Sequence, residues 1–158
     1  MLDALRSVLN FRSWEWDGAT RRLRTAASVE DLRHLARRRL PRGVFDYVDG
    51  GAEDERTLAA NTAAFGALGL RPRVLRAVGE VDASTRLLGR PVPIPLALAP
   101  TGFTRIVDPQ GELAVARAAE RAGLPYALST MSTRSIEEVA EAATGGRRWF
   151  QVLSLIHI

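Results

Sequence analysis

The chain reads as an α/β protein built on a parallel sheet, and two features of its second half predict this. From Leu96 onward, short apolar runs alternate with amphipathic helical segments in the order strand, helix, strand, helix, strand. The intervening helices, of about eleven and nine residues, suit crossovers between parallel strands rather than hairpin turns. Two architectures share this pattern, a closed eight-stranded barrel and an open doubly wound sheet. Periodicity does not separate them. A helical lead-in and a hairpin ahead of the first strand lean towards the barrel, whose bottom must be covered. In both folds ligands bind at the C-terminal ends of the strands. Attention therefore falls on the residues after Ala99, Leu128 and Phe150.

Taken in order, the lead-in begins with Met1 to Ala26, which carries Trp14, Trp16 and the basic cluster Arg21, Arg22 and Arg24 without a clear period. Ser28 is a plausible N-cap, with Glu30 and Asp31 in the first turn and Leu32, Leu35, Ala36 and Leu40 on one face. Arg37, Arg38 and Arg39 suit the C-terminal dipole, and Pro41 stops that helix. Pro41 also suits the first turn of a second helix through Val44, Phe45 and Val48, ended by Gly50 and Gly51. A third helix is predicted from Glu53 to Ala67, with Leu58 and Phe65 on its apolar side. Leu87-Leu88-Gly89-Arg90-Pro91-Val92 predicts two short strands around a glycine-containing turn.

Leu96 to Ala99 predicts a short buried strand. Gly111 to Ala122 predicts an amphipathic helix, opened by Asp108 and Pro109 and closed by Gly123. Tyr126 to Leu128 predicts a second strand. Ser135 and Glu138 have capping-box spacing and open a helix to about Ala143. Trp149 to Val152 predicts a third strand.

Composition narrows the function classes. Of the 158 residues, 46% are hydrophobic and 25% charged, which excludes disordered and fibrous chains. No apolar stretch approaches a membrane span, because Pro93 and Pro95 break the longest one. Asp3 and Arg6 make the N-terminus a poor signal peptide. There is no cysteine, hence no disulfide, thiolate metal site or cysteine nucleophile. A cytoplasmic protein is expected, with membrane association of a longer parent left open. The net charge is +4, yet all 22 basic residues are arginine. That exclusiveness points to GC-rich codon usage rather than to a nucleic-acid surface. His34, on the lead-in helix, reads as a solvated surface histidine.

Three ordered segments resemble the glycolate oxidase and lactate dehydrogenase family of FMN-dependent 2-hydroxy-acid oxidoreductases. The first contains Leu40-Pro41, Val44-Phe45-Asp46-Tyr47 and Gly51-Ala52-Glu53-Asp54, then Thr57-Leu58, Asn61, Phe65 and Arg71-Pro72-Arg73. The second is Ala99-Pro100-Thr101-Gly102-Phe103, followed by Gly111-Glu112 and Ala116-Arg117-Ala118-Ala119. The third runs from Leu128-Ser129-Thr130-Met131-Ser132 through Ser135-Ile136-Glu137-Glu138-Val139-Ala140 to Trp149-Phe150-Gln151. No single motif is diagnostic; the ordered set, spanning Ser28 to Val152, is specific.

The resemblance implies the N-terminal part of a (β/α)8 TIM barrel with a helical lead-in and a bottom hairpin. It implies an N-terminal extension at 1–27 and a truncated FMN hydroxy-acid dehydrogenase domain at 28–152. FMN is the implied cofactor, a small lactate- or glycolate-like 2-hydroxy acid the substrate, and the 2-oxo acid the product. A homo-oligomeric parent is expected, with no nucleic-acid partner.

Residue by residue, Tyr47 matches the tyrosine whose hydroxyl binds the substrate carboxylate; without the resemblance, a core aromatic would be the better reading. Pro100, Thr101 and Gly102 match the loop whose backbone lies against the flavin, where the family often has alanine at Gly102. Ser129 matches a flavin-binding serine, although alone it reads as an ordinary loop serine. Gln151 matches the glutamine that bonds the pyrimidine edge of the ring. The resemblance places the histidine base, a lysine and the substrate-binding arginines beyond this stretch, so no catalytic residue is expected here and the chain alone is expected to be inactive.

Leu153 to Ile158 looks foreign. It holds two of the five isoleucines and one of the two histidines, and Leu153 stands where the family has a second active-site tyrosine. The codons CTG TCT CTT ATA CAC ATC, a transposon end used in library preparation, would encode it, so 153–158 is expected to be an adapter-derived tail. Two other readings compete with the whole: a related flavin or phosphate-binding barrel such as type 2 isopentenyl diphosphate isomerase, and a basic helical nucleic-acid module using Arg21 to Arg39.

Overall fold

A computed structural model describes residues 16–76 and 79–153. Of the expected tail at 153–158, all but Leu153 lies outside the described residues, as does most of the expected N-terminal extension at 1–27. The chain divides into two compact units, Met1–Ala52 and Glu53–Ile158.

The first unit contains helices α1 (Gly18–Thr25), α2 (Val29–Arg39) and α3 (Arg42–Asp49). The helix α1 was not legible in the sequence. Asp17 starts it, its carboxylate accepting from the Thr20 amide at 2.8 Å. A capping box opens α2: the Asp31 amide donates to Ser28 Oγ, and the Asp31 carboxylate accepts from the Ser28 amide. Pro41 precedes α3 with φ −55°, and Gly50 ends it. Arg33 ties the two helices together. Its guanidinium forks onto both oxygens of Asp49 and also pairs with Glu30. The Arg33 hydrogen bond holds the Asp49 carboxyl below the usual carboxylate range. His34 is exposed on α2, 3.5 Å from Glu30.

The second unit begins with α4 (Arg56–Gly66). The helix starts later than the predicted Glu53 because Glu53 and Glu55 both take left-handed backbone, at φ 51° and 56°. No residue of α4 is buried, and Phe65 is exposed. The predicted hairpin is present as antiparallel β1 (Thr85–Leu87) and β2 (Arg90–Val92), joined by Leu88 and Gly89, both at positive φ.

Then come α5 (Glu112–Arg121), β3 (Pro125–Ser129), α6 (Ile136–Ala142) and β4 (Arg147–Gln151). β3 and β4 pair in parallel from Pro125↔Arg147 to Ser129↔Gln151. The predicted strand Leu96 to Ala99 is reduced to a single parallel bridge, Leu98↔Tyr126. Leu98 donates to the Pro125 carbonyl and accepts from the Ala127 amide, but the ladder extends neither way. Two residues back, the Leu96 amide turns onto the Ile94 carbonyl; two residues on, Pro100 has no N–H to give.

All five residues of β3 are buried. Tyr126 and Leu128 form the core with Ala116 and Ala119 of α5 and with Val139 and Ala143 at α6. Gly111 N-caps α5, rather than the predicted Asp108 and Pro109, and Asp108 instead caps a tight turn by accepting from the Gln110 amide. Ser135 and Glu138 form the predicted capping box on α6. The sheet thus fixes where each chain segment leaves its C-terminal edge.

Candidate functional site

The parallel register sets Ser129 beside Gln151 at the C-terminal edge of the sheet. Ser129 is 3% exposed, and its hydroxyl donates to the Gln151 side-chain oxygen over 3.4 Å while accepting from the Met131 amide at 3.1 Å. The Thr130 hydroxyl donates to the Gln151 carbonyl and accepts from the Leu153 amide, so the segment after β4 is held to the loop after β3. Gln151 is half-buried, and its amide nitrogen donates to no partner among the described residues.

Pro100, Thr101 and Gly102 follow Leu98 along the same edge. Pro100 is half-buried; Thr101 and Gly102 are exposed. Their loop locks onto the one after β3, because the Phe103 amide donates to the Met131 carbonyl at 3.0 Å. The approach is tight enough that a Cβ on Gly102 would meet Met131 Cβ at 2.9 Å. Five of the six residues singled out in the sequence therefore converge on one edge. Tyr47 belongs to the first unit, on α3, with its side chain 64% exposed rather than packed in a core.

A carboxylate with no role assigned from the sequence sits beneath these loops. Glu112, the first residue of α5, is 0% exposed. Its Oε1 accepts from the Thr133 amide at 2.8 Å and its Oε2 from the Thr133 hydroxyl at 2.7 Å. Burial alone would raise the carboxyl pKa, but the Thr133 amide and hydroxyl, with smaller contributions from the Thr104 hydroxyl and the residue's own amide, reverse this and hold it at about 2. A legible signal existed: Glu112 shares the buried face of α5 with Ala116 and Ala119, an unusual place for a charge.

Nearby, Tyr126 is 1% exposed and its hydroxyl finds no partner among the described residues. Burial, and secondarily the Glu112 charge, push it up to about 12. An unpaired buried hydroxyl costs free energy. Tyr126→Phe is thus expected to leave the unfolding free energy unchanged or raise it by up to about 1 kcal/mol; a denaturation curve showing a clear loss would mean that the hydroxyl is bonded.

Among the described residues, no cluster of histidine and carboxylate groups could hold a metal ion. The donor set at the strand ends is neutral instead: a hydroxyl, a carboxamide with a free N–H, and backbone.

The sequence profile of the family described as FMN-dependent dehydrogenase matches residues 36–156. The chain belongs to the FMN-dependent dehydrogenase family. Within it, the chain is 45% identical over 148 residues to a putative L-lactate dehydrogenase of Mycobacterium tuberculosis, covering 94% of this chain and 36% of that protein. It is 44% identical to the 4-hydroxymandelate oxidase of Amycolatopsis orientalis, covering 81% of this chain and 35% of that protein.

A solved mandelate oxidase superposes with a TM-score of 0.77 at 42% identity, over 83% of this chain and 39% of that one. A soluble mutant of the membrane-associated (S)-mandelate dehydrogenase of Pseudomonas putida gives 0.75 at 43%, over 78% and 35%. The chain thus spans about a third of the length of its family relatives. These likenesses decide the architecture that periodicity left open: the described strands belong to the N-terminal part of a (β/α)8 barrel, with FMN the cofactor of the family.

Proposed function

We propose that the complete protein oxidises a small 2-hydroxy acid to the 2-oxo acid with FMN, and that this chain supplies one side of the flavin site and one substrate contact. The observation carrying the proposal is the Ser129–Gln151 pair at the end of the sheet, with its free amide N–H, in a chain of this family. A neutral hydroxyl and carboxamide suit the imide edge of an isoalloxazine, which offers donors and acceptors but no full charge. The residues present therefore fit the ring. FMN, when bound, supplies the acceptor for the hydride that leaves the α-carbon.

In this reading, Gln151 turns its free amide towards the ring's pyrimidine edge, and the Ser129 hydroxyl orients that side chain and bonds the flavin. Pro100, Thr101 and Gly102 line the ring with backbone, so no bulky side chain stands between protein and cofactor. Tyr47 donates its hydroxyl to the substrate carboxylate, a charge-assisted hydrogen bond. The relatives named for lactate, hydroxymandelate and 2-hydroxy acids support this substrate class. No helix among the described residues is long and apolar enough to cross a membrane.

The test uses the full-length polypeptide. Purified with FMN and mixed anaerobically with L-lactate, glycolate or mandelate, it is expected to lose its visible flavin absorbance with at least one of them. A protein that binds no FMN, or whose flavin none of the three bleaches, refutes the proposal. In the same enzyme, Tyr47→Phe is expected to keep FMN bound and to lose about 1.5–3 kcal/mol of transition-state binding, read as kcat/KM. Unchanged kinetics would remove Tyr47 from the site.

A further inference from the structure

We propose that Glu112 is a positioning residue for the cofactor, bracing the loop after β3 so that Met131 and Phe103 hold the two flavin-side loops at their working separation. The proposal rests on the functional reading above, which makes those loops the flavin's contacts.

A buried carboxylate is costly unless hydrogen-bonded, and Glu112 has no arginine beside it among the salt-bridged pairs of the described residues. Instead, Thr133 donates to each of its two oxygens. Both donors belong to the segment that follows β3, whereas the acceptor heads the helix before β3. The contact is therefore a cross-tie over 21 residues of sequence.

What the tie holds is the inner face of the candidate site. Ser129 to Thr133 is short, and it carries Met131, whose carbonyl accepts from Phe103 and whose amide donates to Ser129 Oγ. The Phe103 side of the clamp abuts the same carboxylate-bearing helix end. The 3-10 turn Thr104–Ile106 follows Phe103 directly, and a Cβ on Gly111 would lie 2.6 Å from Arg105 Cγ and 3.2 Å from Thr104 Oγ1. The start of α5 thus touches both loops, one through Gly111 and the other through the Glu112 carboxylate. Gly102 draws the loops close: a Cβ there would stand 2.9 Å from Met131 Cβ, so any side chain at 102 must displace Met131. A loop released at Thr133 carries Met131, and with it Ser129 and Phe103, off the positions proposed to meet the ring.

The experiment uses the full-length enzyme and FMN as the probe. Glu112→Ala and Thr133→Val are compared with wild type for far-UV circular dichroism, melting of the apoprotein, FMN dissociation constant and the visible spectrum of the bound flavin. Binding is measured well below melting, where all proteins are folded. Glu112→Ala is expected to weaken FMN binding about tenfold or more and to alter the flavin band, the size typical of losing a group that orients a ligand contact. Thr133→Val keeps the backbone bond and loses one hydroxyl, so about threefold is expected. Glu112→Gln can still accept from the Thr133 amide and donate to its hydroxyl, and is expected to recover binding to within about twofold.

A purely structural role would lower the melting temperature while leaving the dissociation constant and spectrum of the folded protein unchanged, and that result overturns the proposal. If Glu112→Ala does not fold, an unchanged dissociation constant in Thr133→Val overturns it alone. Failure of wild type to bind FMN instead refutes the functional reading beneath it, so the two failures are distinguishable.

Discussion

Replacing Gly111 with alanine is expected to destabilise the full-length protein by about 2–5 kcal/mol, the sum of a strained backbone and an overfilled contact. Gly111 sits at φ 54° and ψ −133°, a region that side-chain-bearing residues avoid. An added Cβ would also stand 2.6 Å from Arg105 Cγ and 3.2 Å from Thr104 Oγ1. The arginine stem can swing aside, but the backbone cannot relax without moving the first turn of α5. Urea unfolding of Gly111→Ala against wild type measures the effect, and a loss below about 1 kcal/mol would mean that this turn is softer than its geometry implies.

Acid is expected to remove a stabilising contribution that belongs to Glu112. Its folded-state pKa, about 2, lies below the ordinary 4.5. A group depressed on folding stabilises the native state fully above its unfolded value, and loses that contribution as pH falls through 4.5 towards 2. The interval corresponds to about 3 kcal/mol. Other carboxylates, among them Glu137 and Glu138, are also depressed and fade over the same range. The diagnostic quantity is therefore a difference. Between pH 5 and pH 2.5, wild type is expected to lose more unfolding free energy than Glu112→Gln, whose amide does not titrate. Parallel pH profiles for the two proteins would show that the carboxylate carries no such contribution.

The sequence revealed features whose cause is local. Ser28 and Ser135 cap helices through residues three positions on, so both starts were legible. The Leu88-Gly89 turn was equally plain. Features with a distant cause were not. Leu96 to Ala99 has the composition of a strand, yet the bond from the Leu96 amide to Ile94 and the missing N–H of Pro100 leave one bridged residue. Glu55 has good helix propensity but occupies left-handed backbone, so α4 begins late. In the site, resemblance singled out Ser129 and Gln151, and the register explains why residues 22 apart lie side by side. The helical period of α5 could mark Glu112 as buried, but its partner, Thr133, lies across a strand, where no period reaches.

The two ends of the Glu112–Thr133 contact bear unequal constraint on replacement. Half of the bonding comes from the Thr133 main chain, which any residue other than proline can reproduce. The other half needs only a small hydroxyl, and serine has one. Position 133 can therefore drift through many codons and retain at least one bond. Position 112 has no such latitude: both acceptor atoms come from its side chain, and aspartate, one methylene shorter, falls short of the donors. A mutational scan would accordingly record a narrow filter at 112 facing a permissive one at 133, although the two residues share the same pair of hydrogen bonds.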